Sequence, residues 1–389
     1  MKIDRQLRPA LWVFSLLLLA AVFCDVIANG RPLYCRIDGQ NFYPAMHSFW
    51  ENKPIRYENK EADRLEQNQG WRQYQHYETV LFPLIPFSPG EKELRADGQQ
   101  RAQPPGSLAN DNGRGLRHWL GTDNEGRDVA AGMIAGARIA LQTGLVAMGI
   151  AFSIGLFLGA LAGFWGDDRL RIRRGQLWVT LLGLLVAWFY AFIAGPNTGS
   201  STSQWIKNLF VFVGIIFIFN LLGRLLGRLP WFSKTVIVPA DLLIMRGAEV
   251  FNALPKFIFL LIVIRLLNGE QTIWLMVALI GAFSWPGVAS LVRAELLRVR
   301  ALDFVSAARA LGLSEMRVLI RHALPNAVQA AYIATAIGVA SAILLEASLS
   351  FLGLSGKDME GASWGMLLHG ARQARERASP AFCPERPNK

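Results

Sequence analysis

Clusters of residues that could perform catalysis or hold a metal ion are missing from this sequence of 389 residues. The three cysteines, Cys24, Cys35 and Cys383, lack the spacing of metal ligands or of a disulfide framework, and a pairing of Cys35 with Cys383 stays open. The nucleotide-binding signature G-x-x-x-x-G-K-[ST] is also missing. We therefore expect no catalytic residues, no metal and no cofactor bound by this chain.

Charged residues are scarce in several long stretches of the chain. The sequence is 52% hydrophobic, with a mean hydropathy of +0.28. Continuous apolar runs of about 18 or more residues predict membrane-spanning helices, whereas a β-barrel would show alternation. The net charge of +11 could indicate nucleic-acid binding, but lysine and arginine also collect in the cytoplasmic loops of membrane proteins. We predict an all-α, polytopic membrane protein with membrane lipid around it and no nucleic-acid partner.

The apolar runs predict about seven transmembrane helices. They cover residues 10–28, 139–164, 176–194, 208–227, 248–267, 272–292 and 327–350. The first run could instead be a cleaved signal peptide, because Lys2, Arg5 and Arg8 precede its apolar core. Its length favours a span, and Phe23 before Cys24 argues against lipoprotein cleavage.

Arginine and lysine cluster in three short loops, residues 165–175, 224–246 and 293–322. The positive-inside rule places these loops and the N-terminus in the cytoplasm. The predicted organisation is a cytoplasmic end and first span over 1–28, an extracytoplasmic loop or small cap over 29–138, and a transmembrane core over 139–350. The histidines of the outer segment are scattered, and we interpret them as surface residues: His47, His76 and His118.

A polar, basic stretch, Asp303–Pro325, separates the sixth and seventh spans, and we call it the elbow. Asp303 is the expected N-cap of a first helix, and Gly312 its left-handed end. Ser314 is expected to cap a second helix, which Pro325 ends. Apolar residues at helical spacing predict a face that needs a partner: Phe304, Ala307, Ala308 and Leu311, then Met316, Leu319, Ile320 and Ala323. An ordinary amphipathic interfacial loop is the alternative interpretation.

The letters SAARALGLSEMRVLIRHALPN resemble the cytoplasmic coupling loop of ABC importer permeases. The family pattern has E-A-A, then a glycine, then L-P at fixed offsets, and its glutamate is Ser306 here. Serine is too short to complete a capping box. The ending RHALPN is similar to the dipeptide/oligopeptide branch. The resemblance implies that contact with an ATPase is made by Asp303, Ser306, Ala307, Ala308, Arg309, Gly312, His322, Leu324 and Pro325.

A second motif, GTDNEGRDVAAGMIAGARIAL, is similar to the outer-face motif of the same branch. Gly121 and Gly126 permit tight turns, and Asp128 can cap the following helix. The segment VIANGRPLYCRIDGQNFYP resembles the start of the outer loop in a peptide-permease subgroup. The matched residues of the outer-face motif are Gly121, Thr122, Asp123, Gly126, Arg127 and Asp128.

The resemblance implies the type I importer permease fold in a bacterial cytoplasmic (inner) membrane. It implies four partners: a second permease subunit, identical or different, two ATP-binding subunits, and an extracytoplasmic substrate-binding protein. ATP and Mg²⁺ would be bound by the ATP-binding subunits. Peptides are the implied substrate, with nickel and other small solutes as known variations in the family.

Two features depart from the family. An extra hairpin, about 176–227, is expected to face lipid. The extracytoplasmic tail 351–389 lacks the final apolar span, so we expect a truncated or frame-shifted product that is inactive or poorly assembled. Glu346, late in the seventh span, is a pathway or structural residue that water can reach, and a structural hydrogen bond is the favoured role.

Three other functions stay open. They are a membrane sensor or enzyme whose outer segment binds a ligand, a degenerate truncated permease, and a proton-coupled carrier. The first would need clustered acid/base or metal residues. A carrier would need several carboxylates or histidines within the membrane.

The predicted topology can be tested by labelling single cysteines from outside the cell. We expect labelling at Asn197 or Gln69 and protection at Arg173 or Glu315, because the arginine-rich loops lie inside. Labelling at position 315 from outside would reverse the orientation and remove the coupling-loop interpretation.

Overall fold

The computed structural model of the protein describes residues 7–46, 57, 59–67, 71–74, 76–93, 102–109, 115–166, 171–190, 202–226, 235–237, 239–266, 273–354 and 363–378. Helices dominate it, as predicted. They are α1 (Leu7–Val22), α2 (Cys24–Ile27), α3 (Lys60–Gln67), α4 (Val129–Ala160), α5 (Arg174–Trp188), α6 (Thr202–Leu226), α7 (Ala240–Ala253), α8 (Lys256–Leu266), α9 (Ile273–Val299), α10 (Asp303–Ala310), α11 (Glu315–Val318), α12 (Leu324–Phe351) and α13 (Trp364–Ala378). Short strands are also present: β1 (Tyr34–Ile37), β2 (Gln40–Phe42), β3 (Thr79–Leu81), β4 (Ser107–Leu108), β5 (Arg117–His118), β6 (Arg171–Arg173) and β7 (Thr235–Ile237).

The chain divides into two compact units. The first comprises Met1–Ile150, Lys256–Ala282 and Ile337–Lys389. The second comprises Ala151–Pro255 and Phe283–Ala336.

The helices agree with the predicted apolar runs better than with the predicted number of spans. Three are long and apolar enough to cross a membrane: Val129–Trp165, Ile273–Val299 and Glu315–Phe351. Three shorter apolar helices fall on other predicted spans: Trp12–Val22, Gly175–Trp188 and Phe210–Leu225. The fifth run falls on a bent pair of helices, so at most four spans reach full length in the described part of the chain.

The predicted span over 248–267 contains a sharp bend. Helices α7 and α8 meet there at a bend of 82°. Leu254 is extended, with φ −77° and ψ 129°. Pro255 explains this conformation, because a proline disfavours helical geometry in the preceding residue.

Helix α4 and the π-helical turn that continues it, Leu161–Trp165, carry a stripe of glycines against helix α9 within the second unit. Gly155, Gly159 and Gly163 recur at every fourth residue and so share one helix face. A Cβ atom at Gly159 would lie 2.6 Å from the carbonyl oxygen of Ala289. At Gly155 and Gly163 the nearest approach of such a Cβ would be 2.7 Å and 2.9 Å. The stripe therefore brings the two backbones into direct contact, as small residues do in membrane helix pairs.

The predicted extra hairpin is present as the pair α5 and α6. A Cβ atom at Gly183 would lie 2.4 Å from Cβ of Phe219, so the two helices pack closely. The strands β6 and β7 flank the pair and are antiparallel, with Arg171 opposite Ile237. Large exposed side chains on both helices are apolar, as a lipid-facing hairpin requires: Trp178, Leu181, Leu182, Leu185, Phe210, Val213, Phe217 and Leu221.

The outer segment folds around a small sheet in the first unit. Its strand order is β2-β1-β3, with Cys35 paired to Phe42 on one side and Val80 on the other. Cys35 packs with Ile37, Ala62 and Trp71 in a hydrophobic cluster. Burial raises the pKa of the Cys35 thiol to about 12, so the thiol stays protonated and serves as a packing group. Cys383 lies outside the described residues.

His118 is buried, which corrects the expectation that it is a surface histidine. His76 is exposed, as expected. His47 lies outside the described residues. The His118 ring lies between two carboxylates, with Nδ1 2.7 Å from Asp128 and Nε2 2.5 Å from Glu93. Burial alone lowers the pKa of His118, but hydrogen bonds to Asp128 and Glu93 outweigh it and raise the pKa from 6.5 to about 9. A protonated His118 therefore holds two outer segments to the start of helix α4.

The C-terminal segment contains a helix, α13, which the description of 351–389 as a tail did not foresee. Trp364 at its start donates from Nε1 to the carbonyl oxygen of Met133 over 2.9 Å. His369 Nδ1 lies 2.7 Å from the carbonyl oxygen of Phe351. These contacts hold α13 within the first unit.

We predict that Gly159→Ala lowers the unfolding free energy by about 1–3 kcal/mol, because the added methyl group overlaps the backbone of helix α9. Gly149→Ala on the same helix is the matched control, since a Cβ atom there meets nothing within 4 Å. Thermal unfolding in detergent measures the stability of both purified variants. Equal stability of the two variants would contradict the close approach of the helices.

We also predict that the stability contributed by His118 depends on pH. It is fully present below pH about 6.5, the ordinary pKa of histidine, and is lost as the pH rises to the folded-state pKa of about 9. The contribution is at most about 3 kcal/mol. Unfolding midpoints of the natural chain and of His118→Gln, measured from pH 6 to pH 10, should converge at high pH. A constant difference between them would contradict the charged network.

Candidate functional site

The elbow has the predicted helix–glycine–helix form. Helix α10 covers Asp303–Ala310 and helix α11 begins at Glu315. Gly312 between them has φ +78°, the left-handed region in which a residue with a side chain is strained. Gly312 thus sets the angle between the two arms, as expected.

The caps of the elbow differ from the prediction. Leu302 occupies the N-cap position of α10, so Asp303 lies in the first turn, where its carboxylate complements the helix dipole. Ser306 donates from Oγ to the carbonyl oxygen of Asp303 over 2.8 Å. Ser314 does hold the N-cap position of α11, although its side chain makes no capping hydrogen bond.

The expectation that Pro325 ends the second arm is wrong. The chain stays helical from Glu315 to Phe351, with a π-helical turn over Leu319–Ala323 just before Leu324 and Pro325. Proline removes one backbone donor and crowds the preceding turn, and a wider π turn accommodates both effects. The second arm of the elbow is therefore the start of the last long helix.

The predicted apolar stripe is divided between the interior and the surface. The buried part includes Ala308, Leu319 and Ala323, together with Val305 and Val318, which the spacing did not select. Ala307, also expected on the stripe, is exposed. The large apolar side chains that stay exposed are Phe304, Leu311, Met316 and Ile320, and we call these four residues the elbow patch. Leu311 is 83% exposed.

Arg309 connects the two arms of the elbow. Its guanidinium group lies 3.1 Å from the Glu315 carboxylate, across the turn at Gly312. The same guanidinium lies 5.5 Å from the ring centre of Phe164, at the end of the glycine stripe. Cation–π and ionic contacts of this kind fix the geometry of the elbow.

Two further arginines anchor the connection that leads into the elbow. Arg293 of helix α9 forms a two-pronged ion pair with Asp241 of helix α7. Arg300 donates to the carbonyl oxygen of Gly163 over 3.2 Å. Sequence reasoning did not identify these roles, because the paired residues are 52 and 137 positions apart.

The remaining predicted coupling residues follow the elbow patch along the same helix. His322 and Leu324 are half-buried, and Pro325 is exposed. The His322 carbonyl oxygen accepts a hydrogen bond from the Asn326 side chain over 2.8 Å. These three residues lie where the elbow continues into helix α12.

The outer-face motif forms the predicted turns in the first unit. Gly121 and Gly126 have φ +80° and +79°. Asp123 accepts from the backbone amide of Arg127 over 2.9 Å, and Asp128 caps helix α4 by accepting from the amide of Ala131 over 2.7 Å. Thr122 and Arg127 are buried, and Thr122 accepts a hydrogen bond from the amide of Gln103 over 3.0 Å.

Glu346 is only 2% exposed, which contradicts the expected access to water. Its Oε1 atom accepts hydrogen bonds from Ser350 over 2.7 Å and from Ser363 over 2.8 Å. Ser363 immediately precedes helix α13. The contacts of Glu346 thus support its structural role, which joins α12 to the start of α13.

Comparison with known proteins gives one family and several relatives. Residues 238–372 match the family described as binding-protein-dependent transport system inner membrane component. That segment contains the elbow and helix α12.

Among the relatives is a Brucella suis protein named as a peptide permease, 27% identical over 297 residues, which cover 76% of this chain and 70% of that protein. The inner membrane ABC transporter permease protein YejE of Escherichia coli is 26% identical over 367 residues, covering 92% of this chain and 80% of the relative. The oligopeptide transport system permease protein OppC of Haemophilus influenzae is 26% identical over 251 residues, which cover 64% of this chain and 57% of that protein. Over residues 238–372 the chain is therefore similar to inner-membrane components of binding-protein-dependent transport systems.

Proposed function

We propose that this chain is a membrane-spanning subunit of an ATP-driven peptide importer and that separate ATPase subunits dock on its elbow. The observation that carries the proposal is the elbow patch. Four large apolar side chains are exposed on a short polar segment, next to the buried side chains of Val305, Ala308, Val318, Leu319 and Ala323. A group of exposed apolar side chains surrounded by charged side chains is typical of a protein interface.

The charged residues around the elbow patch suit such an interface. Arg317 and Arg321 are exposed beside Met316 and Ile320. Apolar anchors supply most of the binding energy of an interface, whereas charges at the rim steer the encounter and set its orientation. A groove with apolar pockets and acidic edges on the ATPase would complement this surface.

The contacts that hold the elbow in place provide a route by which movement of an ATPase reaches the membrane-spanning helices. Val305 and Val318 are fully buried, and Arg309 joins both arms to each other and to Phe164. The second arm continues without a break to Phe351. Displacement of the elbow by a closing ATPase would therefore move this helix as a rigid lever and shift the balance between inward-open and outward-open states.

The chemistry of ATP belongs to the partners in this proposal. ATP and Mg²⁺ are bound by two ATPase subunits, and this chain hydrolyses nothing. A second permease subunit, identical or related, completes the path, and an extracytoplasmic binding protein delivers the substrate. The complex lies in a bacterial inner membrane, which the chain crosses several times, and the names of the relatives support peptides as the substrate.

The docking proposal is tested by Leu311→Asp. A carboxylate at the most exposed position of the elbow patch would be desolvated in the interface, so we expect ATPase binding to weaken at least about tenfold. The measurements are co-purification of the ATPase subunits and, in liposomes, ATP hydrolysis stimulated by the binding protein with uptake of radiolabelled trialanine.

Leu311→Met is the matched control, because methionine keeps an apolar side chain of similar volume. It should retain binding, stimulated hydrolysis and uptake. Full ATPase binding and uptake by Leu311→Asp would refute docking at the elbow patch.

A further inference from the structure

The first unit contains a cavity of about 270 Å³ that plays no part in the proposed coupling. The stretch after helix α1 supplies Asp25, Gly30 and Arg31, and helix α4 supplies Arg138. Trp71 and Glu91 also line the cavity. Asn29, Gly30 and Arg31 belong to the segment VIANGRPLYCRIDG, for which the permease function gives no role.

The cavity wall carries equal numbers of positive and negative side chains. Asp25 and Glu91 are acidic, and Arg31 and Arg138 are basic. Their side chains are between 23% and 42% exposed, so a small molecule that enters can reach all four. A ligand with one charge would meet a like charge on this wall, whereas a ligand with both charges can satisfy each sign.

Each of these charges is held in place by an ion pair. Arg138 Nη1 lies 2.7 Å from Asp25 Oδ2, Arg31 contacts the buried Glu66, and Glu91 contacts Arg72. A guanidinium has five N–H donors and a carboxylate about four acceptor positions, so these pairs leave bonding capacity for a ligand. The site is thus preorganised, which reduces the entropic cost of binding.

Gly30 keeps the cavity open. A Cβ atom at this position would lie 2.9 Å from Oε2 of Glu91 and 3.1 Å from Oγ of Ser88. Its backbone amide also donates to Ser88 Oγ over 3.0 Å. Any side chain at position 30 would occupy space that the acidic part of the wall surrounds.

We infer that this cavity binds a small zwitterion with a free ammonium and a free carboxylate group, of the size of an amino acid or dipeptide. The ammonium group lies beside Asp25 and Glu91, and the carboxylate beside Arg31 and Arg138. Trp71 provides an apolar wall between them. The site is a second ligand site in the outer part of the chain, and binding there requires neither transport nor an ATPase.

Isothermal titration of the purified full-length chain with dialanine tests the inference. Dialanine should bind, and acetylation of its amino end or amidation of its carboxyl end should each weaken binding at least tenfold, because each removes one charge. The titration uses the chain without partners, so failure of the elbow proposal would leave this result unchanged.

Variants of the lining residues test whether the ligand binds in this cavity. The double variant Asp25→Asn with Arg138→Gln removes one charge of each sign, so no partner is left unpaired, and it should weaken binding at least tenfold. Gly30→Leu should do the same by filling the cavity. Arg36→Gln is the matched control, because Arg36 forms a half-exposed ion pair with Glu78 in the same unit outside the cavity.

Unfolding midpoints close to that of the natural chain establish that the variants are folded. No binding of dialanine at millimolar concentration would overturn the inference. Equal binding of either end-blocked peptide, or unchanged binding by both cavity variants, would overturn it as well.

Discussion

The close approach of helices α4 and α9 is the constraint on which the second unit depends. Three glycines at every fourth position place the two backbones in contact, and any side chain there would force them apart. The stripe ends at Gly163, whose carbonyl oxygen accepts a hydrogen bond from Arg300. Phe164 follows directly and faces Arg309 of the elbow. Packing along the stripe thereby fixes the position from which the elbow projects.

Polar contacts in the first unit have the same positioning role. Glu346 accepts hydrogen bonds from Ser350 and Ser363, and Trp364 then donates to the backbone of helix α4. Glu346, Ser350 and Ser363 are buried, where an unpaired polar atom is costly, so their hydrogen bonds favour one arrangement of the segments. A carboxylate in an apolar helix is explained here by its hydroxyl partners.

Much of this architecture could be predicted from the sequence, because hydropathy and glycine position are local signals. The apolar runs predicted the positions of the long helices, and Gly312 predicted the turn of the elbow. The glycine stripe is visible in GLFLGALAG and could have been predicted from its spacing. The bend at Leu254 also has a local signal in Pro255, but a hydropathy window averages over it.

Features that depend on distant residues could not be predicted. His118 is buried because Glu93 and Asp128 meet it, and neither is adjacent in the sequence. Pro325 continues a helix because a π turn precedes it, which no propensity indicates. The cavity lined by Asp25, Glu91 and Arg138 combines three separate segments, so only the fold reveals it.

Docking of an ATPase on the elbow is the central claim, and site-specific photocrosslinking tests it most directly. A photoreactive residue at Leu311, in the reconstituted complex, should form a covalent adduct with an ATPase subunit. The same residue at Tyr332, which is 63% exposed on helix α12 beyond the elbow, should form none. A functional complex without an ATPase adduct at position 311, or with equal adducts at both positions, would contradict the account.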